Sequence, residues 1–140
     1  MFDKRSLKRM VRRVIALAIG LSPVVLILAS LATSIFGPNK PPFSMVGFVI
    51  AALLIAVLNF HLSFIRPRIL LRRHGSLDGI RHISGLPAVG NILVTLSMSL
   101  GFGSLGTTLI GLIAIAIDTG GLPWFLVAIW RDASFWEFLE

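Results

Sequence analysis

Long apolar runs separated by short polar segments predict a chain of membrane-spanning helices. The first run, residues 14–36, has 23 residues, and the second, residues 45–65, has 21. At 1.5 Å per residue, each helix reaches about 30 Å or more, which is the thickness of a bilayer's hydrocarbon core. Residues 37–43 hold three prolines and cannot continue a helix. Within the first run Pro23 lacks an N–H, and Ser22 is placed to help satisfy the freed backbone groups.

The last apolar region, residues 83–130, carries a single charge in 48 residues, that of Asp118. One helix is too short to use this length, whereas two helices fit it. The turn between them is expected in the glycine-rich segment 101–106. The pattern therefore predicts a third helix over 86–100 and a fourth over 105–130. Together the four runs predict an all-α, four-helix transmembrane bundle that forms a single domain.

Basic residues mark one side of the expected membrane. Of the 13 Lys and Arg residues, only Lys40 lies between the first two runs. With four crossings the other 12 share one side with both termini, and the positive-inside rule assigns that side to the cytoplasm. A three-span arrangement, with the C-terminus outside, stays open. The basic residues also suit anionic lipid headgroups, at about 1 kcal/mol each near the surface. The expected headgroup and topology residues are Lys4, Arg5, Lys8, Arg9, Arg12, Arg13, Arg66, Arg68, Arg72 and Arg73.

Three polar segments flank or join the apolar runs. Residues 1–13 carry apolar side chains at helical spacing among basic ones, which indicates an amphipathic helix on the membrane surface or a solvated basic tail. Residues 66–82 form a basic cytoplasmic loop, and Arg66-Pro67 is expected to end the second helix. Residues 131–140 form an aromatic and acidic tail of the kind found at a membrane–water interface.

Composition supports a membrane protein and excludes several kinds of chemistry. The chain is 56% hydrophobic and 14% charged, against about 25% charged in a soluble domain, and its mean hydropathy is +0.92. The net charge of +7 comes without a groove-reading pattern, so no nucleic-acid partner is expected. The absence of cysteine excludes thiolate catalysis and cysteine metal sites. With no catalytic motif either, the expectation is a protein that is not an enzyme and has no cofactor.

Asp118 is the sharpest candidate site residue. Asp118, Thr119, two glycines and Pro123 are expected to break the fourth helix near 118–123. In the four-span arrangement the carboxylate lies near mid-membrane, where a charge costs about 2.5–3.5 kcal/mol. Asp118 then either caps the break, or serves as a polar site for a proton, cation or partner, or lies in a loop outside the lipid.

Further polar residues lie toward the cytoplasmic ends of the second and third helices. Asn59, His61 and Asn91 predict a polar cluster in the inner leaflet, or hydrogen bonds between packed helices at about 0.6 kcal/mol each. His74, Asp78 and His82 recur every four residues, but the glycines among them argue against the helix that a metal site needs there. We therefore expect no metal.

Short local patterns recur in the apolar runs. Small residues four positions apart allow helices to approach closely, which favours a compact bundle, a homo-oligomer or a partner interface. The sequence Gly-Leu-Pro occurs at 85–87 and at 121–123, as a coincidence or as shared helix-start chemistry. The small-residue pairs are Ala16 and Gly20, Gly47 and Ala51, Ala52 and Ala56, and Thr107 and Gly111.

The architecture, with the segments "SGLPAVGN" at 84–91 and "DTGGLPWF" at 118–125, resembles the small polytopic inner-membrane proteins of bacteria. Some proteins of that appearance are immunity partners of membrane-acting or periplasmic toxins. The resemblance implies a non-enzymatic protein that binds a protein partner in or at the bilayer. A small oligomeric transporter or channel that uses Asp118 is the alternative. Small four-helix multidrug transporters carry an acidic residue in their first helix, whereas residues 14–36 have none.

Overall fold

The structure is a computed structural model that describes residues 4–37, 39–75 and 85–130, with the side chains of residues 4–6 and 9 left out. This part of the chain is all-helical, as predicted, and no strand occurs in it. The tail 131–140, and the part of the loop that contains Asp78 and His82, lie outside the described residues. The helices are α1 Lys4–Phe36, α2 Phe43–Phe60, a π-helical turn His61–Ile65, α3 Arg66–His74, α4 Val89–Leu100, α5 Leu105–Ile117 and α6 Leu122–Trp130.

Helix α1 joins the basic N-terminal segment and the first apolar run into one helix of 33 residues. It continues through Pro23, whose missing N–H leaves the carbonyl of Ile19 without its helical donor. The Ser22 hydroxyl donates to that carbonyl at 2.8 Å, which confirms the predicted compensation.

The second apolar run extends further than predicted. Arg66-Pro67 was expected to end it, but α2, the π-helical turn and α3 follow one another without a gap to His74, where Gly75 caps α3 with φ +71°. In the π-helical turn the Arg66 N–H donates to the carbonyl of His61, five residues back. This wider turn accommodates Pro67, because α3 begins there and an N–H is not needed at its first positions.

The third predicted helix is shorter at its start, whereas the fourth is broken where predicted. Helix α4 begins at Val89 because Pro87 and Ala88 form a turn, with Ala88 at φ +61°. Residues 101–104 make the predicted turn, and residues 118–121 separate α5 from α6. Three stretches are long and apolar enough to cross a membrane, namely Met10–Phe36, Phe43–His74 and Leu105–Trp130. Helix α4, at about 18 Å, is not among them.

The core lies where α2 packs against α4 and α5. Helix α1 also packs against α4 and α5. The Ser97 hydroxyl of α4 donates to the carbonyl of Met45 at one end of α2, and Asn59 of α2 bonds to Leu86 near the other end, before α4 begins. Helix α4 therefore runs antiparallel to α2. The buried cluster consists of Ile27, Met45, Ala52, Ala56, Val94, Met98, Ala114 and Ile115.

The segment 39–42 and the turn 101–104 meet at the end of the bundle opposite Asn59. The Asn39 N–H and side chain donate to the carbonyls of Gly103 and Phe102, at 3.1 and 2.9 Å. The Ser30 hydroxyl of α1 lies 2.8 Å from that of Thr108 in α5 and accepts the Gly103 N–H at 3.0 Å. Gly103 is buried with φ +87°, a conformation that favours glycine.

The small-residue pairs divide into those used inside the bundle and one that is not. Gly20 packs against the side chain of Leu126, which brings α1 close to α6. Gly47 is exposed, and a Cβ built there would meet nothing within 4 Å. Ala51, one turn along the same side of α2, is half-buried. Two pairs are buried inside the bundle, Ala52 with Ala56 and Thr107 with Gly111.

Candidate functional site

The break between α5 and α6 places Asp118 inside the protein. Asp118 follows the last residue of α5, and its side chain is 1% exposed. Its Oδ1 accepts the Gly120 N–H at 3.2 Å, and its main-chain oxygen accepts the Gly121 N–H at 2.8 Å. These bonds serve N–H groups that precede α6 and have no helical partner. The carboxylate thus caps the break from within the segment that breaks.

Asn59 connects the carboxylate to the segment before α4. Its Nδ2 donates to Asp118 Oδ1 at 2.6 Å and to the carbonyl of Leu86 at 3.1 Å. Its Oδ1 accepts the Leu86 N–H at 2.8 Å. The amide therefore satisfies both backbone groups of a non-helical residue, which would otherwise be unpaired next to the core. One side chain joins α2, the segment before α4 and the α5–α6 break.

Asn91 meets the same carboxylate from α4. Its Nδ2 donates to Asp118 Oδ2 at 3.3 Å, longer than the usual 2.9–3.0 Å for such a bond. Its Oδ1 is buried and accepts no hydrogen bond in the structure. An unsatisfied buried acceptor costs about 1–3 kcal/mol, so a group that fills this position would stabilise the protein.

Four glycines allow the backbone to approach these side chains. Gly85 and Gly120 lie against Asn59, Gly90 lies against Asp118 Oδ2, and Gly121 lies against Asn91 and Asp118. A Cβ at Gly120 would come within 2.8 Å of Asn59 Nδ2, closer than real Cβ contacts occur. Because these glycines have no side chain, the backbone lies in close contact with Asn59, Asn91 and Asp118.

The two Gly-Leu-Pro sequences lie at these approaches. Gly85–Pro87 precedes α4, and Gly121–Pro123 enters α6. The Ala88 N–H donates to the carbonyl of Gly120 at 3.0 Å, which joins the segments that contain them. The repeated Gly-Leu-Pro sequence is the signal that could have predicted contact between the segment before α4 and the break between α5 and α6.

The Asp118 carboxylate is surrounded by neutral dipoles, namely amide groups, a backbone N–H and the ends of helices. Asp118 is the only acidic residue in the described part of the chain, and two amides and one backbone N–H are the donors found there. The starts of α4 and α6 both lie beside the carboxylate, and the positive ends of their dipoles favour an anion. Hydrogen bonds to a charged group contribute about 1.5–3 kcal/mol each, and they offset part of the cost of burying the charge.

The structure brings together only part of the predicted polar set. Asp118, Asn59 and Asn91 meet, and the Thr119 hydroxyl donates to that of Ser63 at 2.9 Å. His61 is exposed, on a different side of its helix from Asn59. Within residues 4–37, 39–75 and 85–130, no three His, Cys, Asp or Glu side chains gather in a metal-binding group.

The basic residues lie apart from this site. Lys4, Arg5 and Arg9 belong to α1, while their side chains are not described. Arg13 places its guanidinium 5.9 Å from the centre of the Trp130 ring, a cation–π contact between α1 and α6. Helix α3 carries an open pocket of about 230 Å³ lined by Ile65, Arg68, Ile69 and Arg72. The other basic side chains in the headgroup set are exposed, at Lys8 and Arg73, or half-buried, at Arg12 and Arg66.

Comparison of the chain with protein-family models, with curated proteins and with solved structures finds no match. Function is therefore inferred from the chemistry of its own residues.

Proposed function

We propose that this chain is a non-enzymatic, multi-pass protein of the bacterial inner membrane that acts by binding a protein partner inside the bilayer. Three stretches long and apolar enough to cross a membrane support a membrane location. Helix α4 supplies the remaining pass in this proposal, together with residues 85–88 before it. With four passes both termini are cytoplasmic, on the side that holds 12 of the 13 basic residues.

Anionic lipid headgroups are the proposed contacts of the basic residues on that side. From Phe43 to His74 the helical chain is about 48 Å long, so it extends beyond a hydrocarbon core of about 30 Å. Its end carries Arg68 and Arg72 beside two isoleucines, an arrangement that suits a phosphate next to an acyl chain.

The proposal of a protein partner rests on Gly47, which is exposed, and on Ala51, which is half-buried one turn further along α2. Apolar surface alone gives no drive for association in lipid, so close backbone approach between small residues becomes important. The other small-residue pairs support contacts within this bundle, whereas Gly47 leaves open space above α2. We define Gly47 and Ala51 as the α2 face. Its proposed occupant is a membrane-spanning helix of a partner, and immunity to a membrane-acting or periplasmic toxin is the sharpest form of this function.

Gly47→Leu is expected to abolish partner binding, because the leucine side chain blocks close approach of a partner helix. The fold should be kept, because that side chain enters open space. Gly106→Leu is the matched control, since Gly106 is also exposed and a Cβ there also meets nothing within 4 Å. A photo-crosslinking residue at position 51 measures binding in intact cells. We expect a discrete adduct in the otherwise unchanged chain, loss of the adduct with Gly47→Leu, and its retention with Gly106→Leu.

The same variants test immunity in cells exposed to a toxin encoded beside this gene. Gly47→Leu should remove protection and Gly106→Leu should keep it, at equal amounts of protein in the membrane. Equal protection by both variants contradicts the α2 face. If the adduct contains only a second, differently tagged copy of this chain, the α2 face binds another copy and the protein is a homo-oligomer without a separate partner.

A small transporter or channel that uses Asp118 is the second candidate. The observation that favours it is the meeting of two helix interruptions on one buried carboxylate, since discontinuous helices hold the ion sites of several transporters. In this form, ion flux into liposomes that contain the purified protein should be lost with Asp118→Asn. Flux that survives this change contradicts the role of Asp118.

A further inference from the structure

We propose that a groove between α1 and α6 holds one acyl chain of an anionic phospholipid, whose phosphate lies beside Arg13. This inference rests on the membrane location proposed above and deepens the headgroup contacts given there, because it assigns one lipid to one place. It does not depend on the α2 face or on Asp118. We define the lipid groove as the open space lined by Leu17, Leu21, Pro123, Leu126, Val127 and Trp130.

The lipid groove follows the line along which α1 and α6 run antiparallel. Arg13 contacts Trp130 at the end of α6, whereas Gly20, further along α1, packs against Leu126, one turn before that end. The space between the two helices has a volume of about 580 Å³ and extends along α6 from Trp130 back to Pro123, a rise of about 10 Å. One end of the groove is therefore level with the basic start of α1, and the other end lies deeper in the proposed bilayer.

The side chains of the lining favour a flexible hydrocarbon chain over a partner helix. Helices associate in lipid where small residues let their backbones approach closely, and the lining given above holds no glycine, alanine or serine. Gly20, the small residue on this line, is already occupied, because a Cβ there would collide with the side chain of Leu126. Val127 is 70% exposed and Leu21 is 42% exposed. These large apolar side chains leave a furrow that an acyl chain can follow.

The cation lies at one end of the lipid groove only, as an amphiphile requires. The Arg13 guanidinium is 5.9 Å from the centre of the Trp130 ring, where the apolar lining ends. Tryptophan concentrates at the membrane–water interface, so Trp130 marks the depth of the headgroups. Arginine binds phosphate oxygens through two parallel N–H groups. A phospholipid with its chain in the groove therefore has its phosphate within reach of Arg13.

The surrounding charge selects an anionic headgroup over a zwitterionic one. Residues 1–13 and 131–140, which adjoin this end of the groove in the sequence, hold seven basic residues and four acidic ones. Each basic residue near the surface favours an anionic lipid. Four of the basic residues lie within six positions of α1, namely Lys8, Arg9, Arg12 and Arg13.

The test measures how strongly brominated lipids quench the fluorescence of Trp130, because bromine quenches a tryptophan that it contacts. The full chain with Trp124→Phe and Trp136→Phe is reconstituted in phosphatidylcholine vesicles. These contain an equal fraction of phosphatidylglycerol or phosphatidylcholine that is brominated near the glycerol end of its chains. We expect phosphatidylglycerol to compete for contact with Trp130 about fivefold better, the effect of one basic residue near an anionic lipid.

Two pairs of variants separate the groove from general attraction to the membrane. Arg13→Gln should remove the preference for phosphatidylglycerol, whereas Arg73→Gln, which removes the same charge from an exposed position on α3, should keep it. Val127→Phe fills part of the groove and should lower the preference. Val57→Phe, the same change at an exposed position of α2, should not.

A chain with Trp124 as its single tryptophan keeps the test decisive if Arg13→Gln fails to fold. Trp124 is not among the lining residues, so it should show no preference, and an equal preference at both tryptophans overturns the proposal. Equal quenching of Trp130 by both lipids overturns the lipid groove and leaves the membrane location, as does a preference that Arg13→Gln and Arg73→Gln lower alike. Quenching by neither lipid overturns the membrane location as well. Quenching of Trp130 that weakens as the protein-to-lipid ratio rises assigns the groove to a second copy of the chain and overturns the proposal.

Discussion

Asn59→Leu is expected to destabilise the folded protein by about 3 kcal/mol, a large effect for one side chain. The change removes the shortest hydrogen bond to the Asp118 carboxylate and leaves both backbone groups of Leu86 without their partner. A buried polar group left without its hydrogen-bond partner costs about 1–3 kcal/mol, and more when the group is charged. Hydrogen bonds within membranes average less, at about 0.6 kcal/mol, so the expected loss is at the lower end. Reversible unfolding in mixed detergent micelles measures it.

A double-mutant cycle separates the charge from the rest of the loss. In Asn59→Leu with Asp118→Asn no buried charge lacks its donor, so the double variant should lose less than the sum of the single variants, by about 1–3 kcal/mol. Leu58→Ala, a neighbouring exposed position, is the control and should change stability by about 0.5 kcal/mol or less. A loss for Asn59→Leu no larger than that of the control means that the bonds of Asn59 contribute little.

Gly90→Ala is expected to destabilise the protein by about 2 kcal/mol, although alanine favours a helix over glycine by about 1 kcal/mol. A Cβ at position 90 collides with Asp118 Oδ2 and forces the carboxylate away from its donors. Gly47→Ala, in open space on α2, should be neutral or stabilising. Unfolding free energies measured under one condition compare the two changes. Shifts of the same sign in both variants contradict the close approach of α4 to Asp118.

The helices were predictable where the signal is local. Apolar run length located the three long stretches, and Asp118 with its glycines and Pro123 located the break. The end of the second helix was predicted wrongly at Arg66-Pro67. The preference of the residue before proline for extended backbone is a local rule, and the π-helical turn provides the exception by supplying a helix start at that point.

The membership of the site was only partly predictable. Asn59 and Asn91 were placed together near the cytoplasmic ends of their helices, and Asp118 was placed separately near mid-membrane. In the structure all three meet, because residues 85–88 are not helical and α4 starts beside the break. The depth of a residue counted along an ideal helix fails as soon as that helix is interrupted.

The sequence by itself determined that the described part of this chain is helical, which apolar runs form its long helices and where the last one breaks, because run length, proline and glycine act within a few residues. Only the tertiary structure decided that Asp118 is enclosed by two asparagines and three glycines, and that three small-residue pairs are used internally while Gly47 remains open. The enclosure of Asp118 and the use of the small-residue pairs depend on which helix faces meet and on how far each helix is shifted along its neighbour. Apolar surface carries little of that information, because any apolar face is equally acceptable to lipid.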